Sequence, residues 1–152
     1  AAALVAPWRA PRATARRARV VVAGVAVVLT VLGAIVIGRS VLADYYLSQG
    51  RSQLSDDPAA ALRDAEASLD VDDEALKAYY LRSAAYARLG DYEAARASLE
   101  DATEREPHDF LPWALMGDLA TRRHDLATAR RAYARAAELN PRDRTIRKLA
   151  QK

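Results

Sequence analysis

The stretch FLPWALMGDLATRRHDLATARRAYARAAELNP, residues 110–141, holds two apolar helical patterns on either side of a short polar turn at His124-Asp125. Its large and small apolar residues return 34 residues earlier in the same order. The matched pairs are Trp113 and Tyr79, Ala129 and Ala95, Tyr133 and Leu99, Ala136 and Ala102, and Pro141 and Pro107. A third copy, a further 34 residues earlier, is degenerate. Its Tyr45, Ala61, Ala65 and Ser68 fit the pattern, but Asp73 replaces the proline. A fixed period of this length indicates a repeat protein, whereas an isolated Ala-rich helix pair would lose the phase.

This pattern resembles the tetratricopeptide repeat (TPR), which places Trp, Leu, Gly, Tyr, Ala, Phe, Ala and Pro at positions 4, 7, 8, 11, 20, 24, 27 and 32. With Phe110 as position 1, seven of those eight positions fit by identity or size, and Ala120 is small where an aromatic residue is usual. The resemblance implies an all-α fold. We expect a TPR-type α-solenoid of two good repeats, one degenerate repeat and a capping helix, preceded by one transmembrane helix.

Helix packing explains the spacing of the pattern. Small residues at positions 8, 20 and 27 let the two helices of a repeat approach closely, and bulky residues at positions 4 and 24 fill the remaining space. Proline at position 32 ends the second helix because it lacks an N–H. The predicted repeat-packing residues are Tyr45, Tyr79, Trp113, Ala61, Ala95, Ala129, Leu99, Tyr133, Ala102, Ala136, Gly117, Pro107 and Pro141.

The repeats and their flanks divide the chain into six segments. We expect a basic cytoplasmic segment over 1–19, a transmembrane helix over 20–38, the degenerate repeat over 39–73, good repeats over 74–107 and 108–141, and a capping helix over 142–152.

Turn residues mark where the helices begin. Asp57, Asp91 and Asp125 each precede the second helix of a repeat, which predicts that each aspartate caps that helix. Asp72 or Asp73 is expected to cap the helix that follows them. His124 stands where the family usually has glycine, which predicts slight strain in that turn.

Val20 to Gly38 is a run of 19 residues without charge. As an α-helix it would be about 28 Å long, close to the roughly 30 Å hydrocarbon core of a bilayer. A cleaved signal peptide is the alternative, because residues 41–43 resemble a cleavage site. Against it, the run is longer than the usual apolar part of a signal, and Arg39 interrupts the approach to that site. The run therefore predicts an anchor whose partner is the lipid bilayer.

The charges on the two sides of this run differ. Residues 1–19 carry five arginines and no acid, whereas Arg39 and Arg51 lie among aspartates on the other side. The positive-inside rule then places the N-terminus in the cytoplasm and the TPR region in a periplasmic or extracellular space. Ala1–Ala6 and Trp8 fit either a flexible tail or the end of a preceding membrane helix.

Small residues recur along the apolar run at Ala26, Thr30, Ala34 and Gly38. This stripe of small residues is either a chance feature of an Ala/Gly-rich span or a face on which another membrane helix packs closely. In the second case the other helix comes from a second copy or from elsewhere in the same protein. No helix breaker follows until Gly50, so we expect the membrane helix to continue into the first repeat.

Composition excludes several classes of function. The net charge of +3 comes from the first 19 residues, because residues 20–152 hold 18 basic and 20 acidic side chains. The repeats are therefore not a basic nucleic-acid surface. The chain has no cysteine, no glycine-rich phosphate loop and no paired-histidine spacing, and His108 and His124 fall in or beside turns. We expect no catalytic residues, metal site or cofactor within these residues.

A concave groove is what the resemblance implies for function. The family lines it with positions 2, 5, 9, 12 and 13 of each first helix, including Gly50 in the first repeat. The candidate partner-binding residues are Tyr46, Lys77, Tyr80, Arg88, Leu111, Asp118 and Arg122. Exposed tyrosine and arginine often anchor partners, although ordinary surface residues would occupy the same positions. The family's carboxylate clamp is absent, because Tyr46 and Gly50 occupy its positions.

These features favour a membrane-anchored interaction module that docks a peptide or helix of a protein partner. Two alternatives stay open. The layout and Ala/Arg-rich composition resemble the C-terminal tail of bacterial O-antigen ligase or polymerase-like glycosyl-transfer proteins, in which the active site would lie upstream of Ala1. A single-span periplasmic TPR chaperone or assembly factor is the other.

Overall fold

The computed structural model describes residues 12–151, with side chains from Arg19 onward. In this part of the chain all regular structure is helical. The helices are α1 (Arg12–Gln53), α2 (Pro58–Val71), α3 (Leu76–Leu89), α4 (Tyr92–Arg105), α5 (Leu111–Arg122), α6 (Leu126–Leu139) and α7 (Arg144–Ala150). The predicted all-α fold is thereby confirmed. The predictions for Ala1–Ala6, Trp8 and Lys152 lie outside the described residues.

The chain divides into two units between Gly38 and Arg39. In the first unit, α1 carries the apolar run, and its side chains are exposed, for example Val21 at 64% and Ile37 at 66%. Among the described residues, α1 is the one helix long and apolar enough to cross a membrane, judged by length and composition. A signal sequence near an N-terminus meets the same criterion.

The second unit is built from helical hairpins: α3 packs on α4, and α5 packs on α6. Each second helix begins at the aspartate that the sequence predicted as its cap. The carboxylate of Asp57 accepts a hydrogen bond from the N–H of Ala60 at 2.9 Å, and Asp91 and Asp125 do the same three residues on, each at 3.0 Å. The bond from the Thr128 N–H lowers the pKa of Asp125. The three predicted caps are confirmed at a spacing of 34 residues.

The start of α3 differs from the prediction that an aspartate caps it. Its N-cap is Ala75, and no side chain bonds to its first turn. Asp72 accepts instead from the N–H of Glu74, and Asp73 pairs with Arg105 of α4. The prediction was wrong because Arg105 and the turn itself engage both carboxylates before the helix begins.

The turns inside the second and third repeats use left-handed backbone. Gly90 has φ 86°, and His124 at the equivalent place has φ 61°. Only glycine adopts this conformation without steric cost, so His124 carries the strain that the sequence predicted.

The buried residues of the second and third repeats fall at equivalent positions. Ala95, Leu99 and Ala102 of α4 are at most 1% exposed, and Ala129, Tyr133 and Ala136 of α6 are at most 5% exposed. On α5, a Cβ added to Gly117 would lie 2.6 Å from Cε1 of Tyr133. Glycine is therefore what allows a tyrosine ring to fit between α5 and α6.

The first repeat buries a different face from the one its sequence match suggested. Tyr45 was expected in the packing but is 59% exposed. The buried residues on this part of α1 are instead Ala43, Leu47 and Gly50, which share one helical face. A Cβ on Gly50 would lie 2.7 Å from Leu81 Cδ2 and 3.2 Å from the Ala61 carbonyl oxygen, so this glycine is a packing residue and not a groove residue.

A short helix covers the end of the last hairpin. Asp143 caps α7, and Ile146 is buried at 6% exposure. Leu149 and Ala150 pack against a cluster of Ala120, Ala129 and Tyr133. The capping helix is confirmed, with α7 spanning Arg144–Ala150. Its apolar side chains shield the core of the third repeat from water.

Candidate functional site

A groove runs between the first helices of the second and third repeats, α3 and α5. It has a volume of about 170 Å³. Four of the predicted partner-binding residues line it, and they are Tyr80, Arg88, Asp118 and Arg122. Its remaining wall is small or apolar and consists of Ser83, Ala84, Ala87, Leu115 and Leu119. We name this concavity the α3–α5 groove.

Tyr80 is held in a fixed orientation at one wall of the groove. Its hydroxyl donates a hydrogen bond of 2.6 Å to Oδ2 of Asp109, and its ring packs on the cluster around Leu99 and Met116. Burial and this bond raise the pKa of Tyr80 above its ordinary value, so the hydroxyl is neutral at physiological pH. Tyr80 thus offers a partner a rigid ring face.

Asp118 is held in a similar way from α6. The hydroxyl of Tyr133 donates to Oδ1 of Asp118 at 2.6 Å, and burial is the main cause of the raised pKa of Tyr133, with this bond second. Asp118 is itself exposed, and its carboxylate has further lone pairs that can accept a hydrogen bond from a ligand.

Arg88 and Arg122 end the groove, each in the last turn of its helix. Both are outside the buried core, and among the described side chains neither makes an ion pair. Other arginines of the repeats do, as Arg105 shows with Asp73 at 2.9 Å. Two guanidinium groups therefore face the groove with their donors available.

The other predicted groove residues lie elsewhere. Tyr46 is half-buried beside Tyr45, with ring centres 5.8 Å apart, and Lys77 and Leu111 lie outside the α3–α5 groove. Sequence reasoning missed Leu115 and Leu119, which form the apolar floor. Their spacing of four residues on α5 was the available signal.

Comparison with known proteins agrees with this architecture. A family model described as tetratricopeptide repeat matches residues 76–109, which is the second repeat. No curated protein sequence matches the chain.

Solved structures match over most of the chain at low identity. The first TPR of Spaghetti (RPAP3), bound to the HSP90 peptide SRMEEVD, has a TM-score of 0.61 and 20% identity, covering 72% of this chain and 91% of that one. The type III secretion chaperone SycD of Yersinia enterocolitica, in complex with a peptide of the translocator YopD, has a TM-score of 0.60 and 16% identity, covering 71% and 83%. An O-GlcNAc transferase mutant of Thermobaculum terrenum has a TM-score of 0.62 and 18% identity, and the match covers 74% of this chain but 22% of the enzyme.

The fold is therefore a TPR solenoid. At these identities the structural likeness defines the architecture and not a ligand or an activity. The resemblance to O-antigen ligase-like tails is not confirmed by these comparisons and stays a prediction.

Proposed function

We infer that this protein is a membrane-anchored interaction module whose α3–α5 groove docks a peptide or helix of a protein partner. The observation that carries this proposal is the convergence of Tyr80, Arg88, Asp118 and Arg122 from two repeats on one groove. The related folds of RPAP3 and SycD hold peptides, which supports the same use here.

The chemistry of the groove favours an extended or helical peptide. The Tyr80 ring, Leu115 and Leu119 offer an apolar surface for one or two side chains. The guanidinium groups of Arg88 and Arg122 donate hydrogen bonds, so the partner supplies carbonyl or carboxylate oxygens at that end. No described residue in the groove offers the nucleophile and base pairing that catalysis would need, so binding is the proposed activity.

Anchoring is the second part of the proposal. The apolar part of α1 has the length to span a bilayer, and the arginines on its N-terminal side favour repeats that lie outside the cytoplasm. A phosphatase reporter that is active only outside the cytoplasm can be fused after Lys152. We expect this fusion to be active. An active cytoplasmic reporter at the same place would contradict this topology.

Site-specific photo-crosslinking tests the groove. A benzoyl-phenylalanine at Ala87, which lines the groove, should crosslink a defined partner in cells that express the full chain. The same probe at Ala127, exposed on α6, serves as the matched position outside it. We expect the Ala87 crosslink to fall at least about tenfold in an Arg88→Ala/Arg122→Ala double variant, since anchor residues carry most of the binding energy.

Arg130→Ala on α6 is the control for that double variant, because Arg130 is exposed and does not line the groove. Equal crosslinking from Ala87 and Ala127, or an Ala87 crosslink that survives the loss of both arginines, would remove the groove from the proposed function.

A further inference from the structure

The first repeat leaves one side of α1 uncovered. Val41, Leu42 and Tyr45 on that side are 64%, 43% and 59% exposed. The opposite side of the same turns packs into the repeat through Ala43 and Leu47, which are at most 4% exposed. Among the described residues α1 is the first helix, so no second helix of a preceding repeat covers the exposed side. We name Val41, Leu42 and Tyr45 the outer face of α1.

The equivalent tyrosine of the second repeat has a different environment. Tyr79 is 5% exposed, and its hydroxyl donates a hydrogen bond to the carbonyl oxygen of Asp73 at 3.0 Å. The guanidinium of Arg105 lies 5.9 Å from its ring centre. Tyr45 contacts the ring of Tyr46, and its hydroxyl donates to no acceptor among the described residues. The Tyr45 side chain can therefore contact something outside this part of the chain.

The exposed side of α1 changes from apolar to polar with distance from Arg39. The two aliphatic residues of the outer face come first, and the tyrosine follows them. The exposed residues further along the same side of the helix are polar and uncharged, and they are Ser48, Gln49 and Ser52. The order is thus aliphatic, then amphipathic, then polar.

This order matches the layers that a helix crosses when it leaves a bilayer. The hydrocarbon core is about 30 Å of a total of about 40–45 Å, which leaves roughly 5–8 Å of headgroups on each side. Along the helix axis, Leu42 lies about 5 Å past Arg39, Tyr45 about 9 Å and Ser52 about 20 Å. Side chains of a helix lean toward its N-terminus, so the Tyr45 ring reaches back to headgroup depth. Tyrosine is enriched at that depth because it has an apolar ring and a polar hydroxyl.

The charged residues beside the outer face fit the same depth. The Nε of Arg39 donates to the carbonyl oxygen of Val71 at 2.8 Å, so its guanidinium has a partner within the first repeat. Asp44 is the first acid after the uncharged run, and it lies about 8 Å past Arg39 along the helix. That distance places its carboxylate among headgroups and water and not in hydrocarbon. The outer face itself carries no charge.

We propose that the outer face of α1 contacts the headgroup layer of the bilayer that holds residues 20–38. Lipid covers the aliphatic side chains and the Tyr45 ring, as a preceding helix would in a longer solenoid. The Tyr45 hydroxyl donates to a phosphate or ester oxygen of a lipid. A second copy of the chain or a soluble partner would not require side chains that become polar with distance from the run. This proposal rests on the anchoring proposed above, and it makes the first repeat part of the membrane contact.

Spin labelling measures the depth of the outer face, and the chain has no cysteine that would compete for the label. Single-cysteine variants of the full chain are labelled with a nitroxide and reconstituted in palmitoyl-oleoyl phosphatidylcholine vesicles. The labelled positions are all exposed, so the core stays intact, and they are Val31, Leu42, Tyr45, Ser52 and Ala127. Power saturation of the EPR signal compares collisions with oxygen, which concentrates in lipid, and with a water-soluble nickel chelate.

We expect the ratio of oxygen to nickel accessibility to fall from Val31 through Leu42 and Tyr45 to Ser52, with Ala127 equal to Ser52. The ratio at Leu42 should exceed that at Ser52 at least about fivefold, because the hydrocarbon excludes polar solutes. Water-like ratios at Leu42 and Tyr45 with a lipid-like ratio at Val31 would overturn this proposal and leave the anchor intact. A water-like ratio at Val31 would overturn both.

Contact with a second copy would give another result. Labels at Leu42 and Tyr45 would then be shielded from both reagents, and their spectra would sharpen when labelled chain is diluted with unlabelled chain. That outcome also overturns the proposal. Tyr45→Ser tests the ring itself in the chain labelled at Leu42, and it should lower the ratio there at least about twofold. Gln49→Ser is the matched control and should leave the ratio unchanged, whereas equal ratios in all three chains would exclude Tyr45 from the contact.

Discussion

The second and third repeats share a backbone plan but distribute their bulk differently. Both repeats carry an aromatic residue at position 4 of the first helix, Tyr79 and Trp113, but the second repeat adds Tyr86 at position 11, where the third has Ala120. Leu99 is the bulky buried residue in the second helix of the second repeat. In the third repeat Tyr133 enters from the second helix, against Gly117. The repeat pattern therefore fixes how closely the two helices of a hairpin approach, while either helix can carry the bulky side chain that fills the space between them.

Substitution of the alanines at position 20 should have the largest effect on stability. Ala95 and Ala129 are 0% and 3% exposed, so leucine at either place should overpack the hairpin by about 3 kcal/mol. Urea unfolding followed by Trp113 fluorescence, in a Trp8→Phe background, measures the loss. Leucine at the exposed Ala127 is the control. An unchanged unfolding midpoint for Ala129→Leu would contradict the assigned register.

Position 8 differs between the two repeats, with Ser83 in the second and Gly117 in the third. Gly117→Ala should cost about 1 to 3 kcal/mol through contact with the Tyr133 ring, less about 1 kcal/mol for the better helix propensity of alanine. Ser83→Ala creates the same residue at the equivalent place, which already accommodates a Cβ. We expect a clear loss of stability in the first variant and a much smaller change in the second.

A Tyr133→Leu change in the Gly117→Ala background tests the cause of that loss. Leucine is what the second repeat has at this position, as Leu99. If the alanine clashes with the ring, its cost should largely disappear in this background, which a double-mutant cycle measures. Additive effects would show that Gly117 is required for some other reason.

Helix capping should be equivalent in the two repeats. Asp91→Ala removes the acceptor for the N–H of Ala94 and should destabilise the second repeat by about 1 kcal/mol. Asp91→Asn keeps a side-chain oxygen at the N-cap and should retain most of the stability. The unfolding midpoints of the two variants provide the test, and equal losses would show that the bond does not matter.

The turn residues give the smallest expected effect. His124 has φ 61°, so His124→Gly should relieve left-handed strain and raise the stability by up to about 1 kcal/mol. The reverse change at the equivalent turn, Gly90→His, should lower the stability by a similar amount. Opposite shifts in melting temperature are the expected result, and shifts of the same sign would contradict the equivalence of the two turns.

Prediction from sequence succeeded where a local rule decides the outcome. The aspartate caps follow from chain-local hydrogen bonding, and the prediction for each repeat was correct at Asp57, Asp91 and Asp125. It failed at Tyr45, where a size match suggested a packing residue. Trp113 packs beside Leu99 of the preceding helix α4, whereas no separate helix precedes Tyr45 among the described residues.

For the candidate site residues, too, the sequence predicted some features and missed others. The resemblance to the TPR family identified Tyr80, Arg88, Asp118 and Arg122, because the family lines its groove with positions that include 5, 9 and 13, which share one face of the first helix. It did not identify which hydroxyls and carboxylates are already engaged, such as Tyr80 with Asp109, 29 residues away. The sequence showed the small residue at position 120 but not the concavity that Trp113, Met116 and Ala120 line between α4 and α6, because empty space depends on which side chains the neighbouring helices place there.

The sequence by itself determined the helices, the aspartate caps of the second helices, the period of 34 residues and the apolar length of the span, because each depends on neighbours within a few residues or on a repeated spacing. Only the tertiary structure decided which face of α1 is buried, which arginines remain unpaired, and where space is left between helices. Those features depend on side chains brought together from distant parts of the chain. If a helix turned by one residue, a different set of side chains would be buried, and the contacts and the space between helices would change with it.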